Sequence, residues 1–360
     1  MRNQIFIKQS AWRLAGMSCL LAGMILPQDA HSQGCVIARG GGGAMIMSGD
    51  GFMPPNAWQV GLSYRYLYSD RHFRGRHEEA FRQEQNTQVI NNSHFIDVNT
   101  TYAVSSRFWL TLTVPFVYYD RSSLYEHDNV GRFHTQAKGL ADIRFVPSYW
   151  LFDPETTHRG NLSLGVGVKL PTGDYQATDT FQSVGGPIER SVDSSIQPGD
   201  GGWGVVLETQ GFLQLVGNLS GYMNASYLVN PRESTPQVNP RQNARYGNLY
   251  SVPDSYLGRV GLDYVIWPSQ GLSLSVGGRI EGVAQKDLIG GDEGRRRPGY
   301  AISVEPGITW SKGRYFASLT VPIAVERNRQ PDYGSLDGMT YTGDSAFADY
   351  TINASFAFRF

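Results

Sequence analysis

Charged side chains recur at alternate positions of segments whose intervening residues are apolar. Arg65, Arg107, Arg144, Lys169, Arg259, Arg279 and Arg359 fall on the same side of these segments as Asp97, Asp142, Glu208, Asp263, Glu281, Glu305 and Glu326, seven of each sign. A charge taken out of water is costly unless it is paired or hydrated. A balanced set on one face therefore predicts one of two interiors: a salt-bridge network that stiffens and fills it, or a polar wall around water. All of these residues except Arg359 are candidate pore-lining groups.

Nucleophilic chemistry is the other possibility that residue types suggest, through Asn92-Ser93-His94. Neighbouring residues of a strand point to opposite faces, so Ser93 and His94 are badly placed to act as nucleophile and base. The expectation is no enzyme, with no catalytic residue and no cofactor. Loop 69–92 contributes His72, His77, Glu78 and Glu79 among arginines. Such groups could hold a divalent metal or an anionic headgroup, but a charged loop in water is the commoner origin of such a run, and no metal is expected. Arg295-Arg296-Arg297 beside Asp292 and Glu293 reads the same way, as charge facing lipopolysaccharide.

The elements that must position these charges are strands. From Trp58 onward, segments of about ten to fourteen residues alternate apolar and polar positions with the period of two expected of a sheet with unlike faces. Trp58, Val60, Leu62, Tyr64, Tyr66 and Tyr68 oppose Gln59, Gly61, Ser63 and Arg65; Leu162, Leu164, Val166 and Val168 oppose Ser163, Gly165, Gly167 and Lys169. The period weakens between 203 and 229, where it sets no register. Long polar connections near 69–92, 120–138, 172–200, 230–253, 284–299 and 327–348 alternate with short turns. Twelve strands result. The fold class is all-β, a transmembrane antiparallel up-and-down barrel with periplasmic turns, extracellular loops and, from the even count, both termini in the periplasm.

The last strand places Tyr350, Ile352, Ala354, Phe356, Phe358 and the terminal Phe360 on one face. Such an ending is expected to serve as the membrane insertion signal read by the barrel-assembly machinery. Tyr64, Tyr66, Tyr68, Phe116, Tyr118 and Tyr119 stand at loop-side strand ends as an interfacial girdle. A mean hydropathy of -0.31 agrees with this, because only every second barrel residue meets lipid.

At the other end, Arg2, Lys8 and Arg13 precede an apolar run from Leu14 to Leu26, and Ala30-His31-Ser32 offers small residues for cleavage. Residues 1–32 read as a signal peptide cut after Ser32. No later stretch reaches the roughly 18 apolar residues of a membrane helix. Residues 33–56 form a glycine-rich periplasmic segment, with a lumen plug as its functional alternative, and residues 57–360 form the barrel. Cleavage leaves 28 basic and 31 acidic residues, a balance that argues against nucleic acid. It also leaves Cys35 without an intramolecular partner, and Ser32 stands where a lipoprotein signal wants a branched apolar residue.

Leu112-Thr113-Val114-Pro115 recurs as Leu319-Thr320-Val321-Pro322, and Leu170-Pro171-Thr172-Gly173-Asp174 ends a third strand. Proline cannot donate to the ladder, so these words predict bulges near the rim, with a constriction as the alternative. Gly139-Leu140-Ala141-Asp142-Ile143-Arg144, Tyr149 and the run Gly165 to Asp174 together resemble the outer-membrane barrels of the MetA-pathway of phenol degradation group. The resemblance covers mainly residues 108–175, with an echo at 315–326. It implies a transporter-like channel for hydrophobic or aromatic compounds.

The expected function is passive passage of small solutes through the outer membrane, with lipid and lipopolysaccharide as surroundings. A closed structural or interaction barrel working through its long loops is the alternative. Twelve strands lie between the filled interior of eight and the aqueous channel of sixteen. Inward Gly165, Gly167, Ser273, Ser275 and Gly277 are expected to leave room that Arg144 and Arg279 take back.

Overall fold

Alternation along the chain is realised as a closed antiparallel barrel. The computed structural model describes residues 52–232, 234–236, 246–247, 249–335 and 337–360. The expected leader, Cys35 and all but the end of the glycine-rich segment lie outside these residues. Among the described residues twelve strands follow one another around the wall. They are β1 (Trp58–Arg74), β2 (Ile90–Ala103), β3 (Phe108–Ser123), β4 in two pieces (Phe133–Leu140 and Arg144–Trp150), β5 (Gly160–Lys169) and β6 (Gly204–Val216). Then come β7 (Leu219–Val229), β8 (Ser255–Trp267), β9 (Leu272–Val283), β10 (Gly299–Lys312), β11 in two pieces (Tyr315–Thr320 and Ile323–Arg329) and β12 (Ser345–Arg359).

Closure is made by β1 and β12, whose register runs from Gln59↔Arg359 through Tyr66↔Ile352 to Phe73↔Ser345. Trp58 N donates to Phe360 O at 2.9 Å and Phe360 N to Trp58 O at 2.8 Å, so the two ends of the wall are stitched together. Both lie at the end of the barrel that carries the short turns.

The outer face is apolar and the inner face polar, as the period of two requires. Leu164 is 50% exposed while its neighbour Ser163 is 2% exposed, and Val260 is 65% exposed beside an inward Arg259. Trp58 packs on Tyr102 at 4.7 Å, and Trp310, Tyr315, Phe358 and Phe360 form a chain of rings at the short-turn end. At the long-loop side Tyr64, Tyr66 and Tyr118 cluster around His94, whose Nδ1 lies 2.8 Å from the Tyr64 hydroxyl. Tyr119, expected in that girdle, points inward and is buried, because it is out of phase with Phe116 and Tyr118.

Several strands outrun the sequence expectation at the long-loop end. Crossing a bilayer takes about 9–11 tilted residues, yet β1 has 17 residues, β3 has 16 and β12 has 15. Much of the expected 69–92 loop is therefore strand, followed by a short turn of helix, Phe81–Glu84. His72 is buried there, with Nδ1 3.0 Å from Asp344 and Nε2 accepting from Val89 N at 2.8 Å, while Glu78 and Glu79 pair with Arg71 and Arg74.

Two motif words mark breaks in the wall. β4 is interrupted at Ala141-Asp142-Ile143, and there Ala141 N donates to Pro115 O, Leu170 N to Ile143 O, and Thr172 Oγ1 bridges Ala141 O and Ile143 N. Pro115 thus faces the gap in its neighbour. Pro322 lies between the two pieces of β11. Above it the only ladder pairing of the second piece with β12 among the described residues is Ile323↔Tyr350, and a register shift opposite Ser303 follows.

Candidate functional site

The long loop after β5 folds back over the mouth of the barrel. Within it Thr178–Phe181 pairs with Ile188–Ser191, and the single turn Ser194–Ile196 is capped by Asp193, which accepts from Ser195 N at 3.0 Å. Val192 and Ile196 are buried against Val117, Tyr119, Ala137 and Ala141 on β3 and β4. Phe95 and Ala177 close that cluster from the sides.

Charge ties the cap across the opening. Arg121 on β3 binds Glu126 at 2.9 Å and reaches Asp193 at 3.7 Å, and Asp193 is also paired with both terminal nitrogens of Arg297, just ahead of β10. Strands β3 and β10 lie on nearly opposite sides of the wall, so Asp193 is the middle of a strap. Burial by itself would raise the Asp193 carboxyl, but Arg297 and Arg121 hold it well below the usual carboxylate range. The root of the loop is fixed by Lys169, which pairs with Asp200 and lies 3.8 Å from Asp142, while Asp142 accepts from Gly173 N at 3.0 Å.

Below the cap a second bridge crosses the lumen. Arg65 on β1 donates both to Glu281 Oε1 at 2.8 Å and to Oε2 at 2.7 Å, and Glu281 belongs to β9, four strands away around the wall. Glu281 also accepts from Arg279 at 3.0 Å; Arg279 reaches Glu305 at 3.1 Å, and Glu305 pairs with Arg259. Glu305 is 1% exposed. Each of these carboxylates is shared by two arginines, and the charge-assisted hydrogen bonds offset part of the cost of taking the ions from water. Asp97 and Arg144, 3.7 Å apart on β2 and β4, follow the wall instead of crossing it.

A cavity of about 170 Å³ occupies the short-turn half of the lumen. Its walls are short polar side chains, among them Thr111, Ser148, Ser226 and Ser273, with Arg144, Glu208, Asp263 and Arg359 as the charged members. Met53, Trp109, Trp150 and Phe316 are also in the lining. Phe52, on the chain entering β1, stacks edge-on against Trp150 at 5.2 Å and lies 5.5 Å from Phe212, and Arg359 Nη1 donates to Phe52 O at 2.9 Å. Aromatic rings thus make a floor at the end where the short turns lie.

The predicted lining residues divide accordingly. Arg144, Glu208 and Asp263 border the cavity; Arg65, Arg259, Arg279, Glu281 and Glu305 form the bridge above it; Asp142 and Lys169 anchor the loop root. Two residues face elsewhere. Arg107 lies in the turn before β3, where strand alternation no longer applies, and its guanidinium sits 4.7 Å over Tyr149, a ring exposed on the outside. Glu326 follows the register shift in β11, so it pairs with outward Ile302 and is held by Arg76 at 2.7 Å and the Tyr300 hydroxyl at 2.7 Å on the outer rim.

The inward glycines do not all leave space. A side chain at Gly167 would meet Phe145 O at 2.2 Å, and at Gly277 it would meet the Tyr222 hydroxyl at 2.6 Å, because neighbouring strands lean over these positions. Gly165 and Ser273 do line the cavity. The sequence reading missed Trp109, Trp150, Phe212, Tyr222 and Phe316 as interior residues. For Trp109, Trp150 and Phe316 the signal was available, an aromatic on the polar phase of its strand; Phe212 and Tyr222 lie where the alternation sets no register.

No protein-family model matches the chain, and no curated protein matches it. Solved structures resemble it in fold. The COG4313 outer membrane channel from Pseudomonas putida F1 superposes with a TM-score of 0.56 at 13% identity, over 86% of this chain and 97% of that one. A Pseudomonas aeruginosa FadL homologue gives 0.40 at 10% identity, over 91% and 99%. The toluene transporter TodX of P. putida gives 0.39 at 10% identity, over 89% and 94%.

Proposed function

We propose that the chain is an outer-membrane channel for passive passage of small solutes, with apolar or aromatic molecules preferred. The carrying observation is the cavity: a barrel with an apolar exterior encloses a small-molecule-sized space with a polar wall and an aromatic floor. The barrel likeness to an outer membrane channel supports the reading, as does the resemblance of residues 108–175 to the MetA-pathway of phenol degradation group. In this reading the short turns and both ends of the wall face the periplasm and the long loops face outward. Lipid and lipopolysaccharide surround the apolar band, and the face of β12 carrying Tyr350, Ile352, Phe356, Phe358 and Phe360 is the signal for the assembly machinery.

Passage requires movement, since the Asp193 strap and the Arg65–Glu281 bridge both lie across the axis. That observation also favours a second reading, a closed barrel acting through its loops. Planar-bilayer recording on the refolded protein separates the two. Steady ionic current, reduced when a small aromatic solute is added, supports the channel; silence with a correctly folded, heat-modifiable barrel supports the closed form.

A further inference from the structure

The cavity has two carboxylates that take part in no ion pair among the described residues. Glu208, on β6, has neither an ion pair nor a hydrogen bond among the described residues, although Arg144 acts on it through space. Asp263, on β8, is 2% exposed; the Ser273 hydroxyl reaches its carboxylate, yet Oδ1 has no hydrogen-bond partner. Every other acidic residue on the predicted inner face has a basic partner within 4 Å: Asp97, Asp142, Glu281, Glu305 and Glu326 are all paired. The two exceptions both border the cavity.

The cationic side of the same cavity is treated differently. Arg144 lies 3.7 Å from Asp97, and Arg359 donates to Phe52 O and to Gln59 Oε1 at 3.2 Å while stacking 4.6 Å over Phe316. Arg359 is thus hydrogen-bonded and stacked, and Arg144 has Asp97 as its nearest acid, whereas neither cavity carboxylate takes part in an ion pair among the described residues. A buried carboxylate without a partner either takes up a proton or recruits a cation or donor. Size sets the rest of the requirement. A dry cavity of about 150 Å³ admits one benzene ring, and this one measures about 170 Å³ over an aromatic floor.

We propose that the cavity is a binding site for single-ring aromatic molecules bearing a protonated amine. The ring packs toward Trp109, Trp150 and Phe316, and the ammonium is received by Asp263 and Glu208. Benzoate-like anions are disfavoured by the same two groups, whose charge repels them. The proposal rests on the channel reading for its biological meaning, but the site itself is testable without transport.

Binding is measured on the detergent-refolded full chain by tryptophan fluorescence, with calorimetry as a second readout. The probes are benzylammonium, toluene and benzoate, for the wild type, Glu208→Gln, Asp263→Asn and the double variant. The expected order is benzylammonium well ahead of toluene, and benzoate weakest. Each single variant is expected to lose about tenfold in benzylammonium affinity, the equivalent of one charge-assisted hydrogen bond, with toluene affinity unchanged. Glu208→Gln keeps the test valid if Asp263→Asn misfolds. Equal affinity for benzylammonium and toluene, or benzylammonium binding that survives the double variant, overturns the proposal. Selective binding without conductance would retain the site and sink the channel, whereas conductance without selective binding would do the reverse.

Discussion

The two halves of the lumen use the same residue types to opposite ends. Toward the long loops, Arg65, Arg259 and Arg279 share Glu281 and Glu305, and Arg121 and Arg297 share Asp193, so each carboxylate is satisfied and each bridge spans the axis. Toward the short turns, Glu208 and Asp263 keep free valence beside an open space. Charge in the first half locks one wall to another; charge in the second is held in reserve. A balanced inner face therefore does not choose between a packed interior and a polar pore. The choice is made locally, by whether an arginine on another strand can reach.

The sharpest way to test this contrast is to remove one acid from each half. Glu305→Ala takes the shared carboxylate from Arg259 and leaves Arg279 to Glu281, and the expected loss is about 3–5 kcal/mol, read from the urea midpoint of folding into lipid vesicles. Asp263→Asn removes a charge that had no partner, and the same measurement should show no loss or a gain. Equal losses at the two sites would erase the distinction.

The cap is held by packing as well as charge. Ile196→Ala removes buried side-chain volume from the cluster on β3 and β4, with an expected cost of about 2–4 kcal/mol confined to the loop. Faster hydrogen exchange across 177–200, with the strands unchanged, is the predicted pattern. On the outer wall Leu164→Lys places a charge in lipid, at an expected cost of about 2–4 kcal/mol near the midplane; lysine in place of Val184, in the exposed loop, should cost nothing measurable in the same assay.

Acid provides the smallest and most selective probe. Asp193 is depressed in the folded chain, so its stabilising contribution is complete above the ordinary carboxylate value near about 3.9. It disappears only as pH falls through the lower folded value. Asp344 behaves alike: burial pushes it up, but the His72 hydrogen bond and Arg82 bring it to about 2. Loop exchange rates, each divided by the intrinsic amide exchange rate at the same pH, should accordingly stay flat from pH 7 to about 4 and rise only below that. A rise already near pH 5 would show that neither carboxylate holds the loops.

Most of the architecture was legible because one physical rule, apolar outside and polar inside, is written at every second residue. Where the rule is relaxed, the reading fails in ways the structure explains. Strands β6 and β7 turn Val206, Phe212, Tyr222 and Leu228 inward, so both faces look apolar and the register cannot be read. Glu326 is displaced by a one-residue slip; the Pro322 word predicts a bulge near it but not where in the strand the slip falls, and Arg107 belongs to a turn. The inner-face charges were visible, but pairing depends on partners more than two hundred positions apart, as with Arg65 and Glu281. Strand length beyond the bilayer was hidden because polar residues on both faces resemble a loop.

The most direct test of the account is single-channel conductance of the wild type beside the double variant Arg65→Ala with Glu281→Ala, which removes the transverse bridge without stranding either charge of the pair. The account predicts small or intermittent current from the wild type and a larger, steadier current from the variant, because one of the two barriers across the axis is then gone and only the Asp193 strap remains. Identical current from both proteins would contradict it and place the limiting barrier elsewhere.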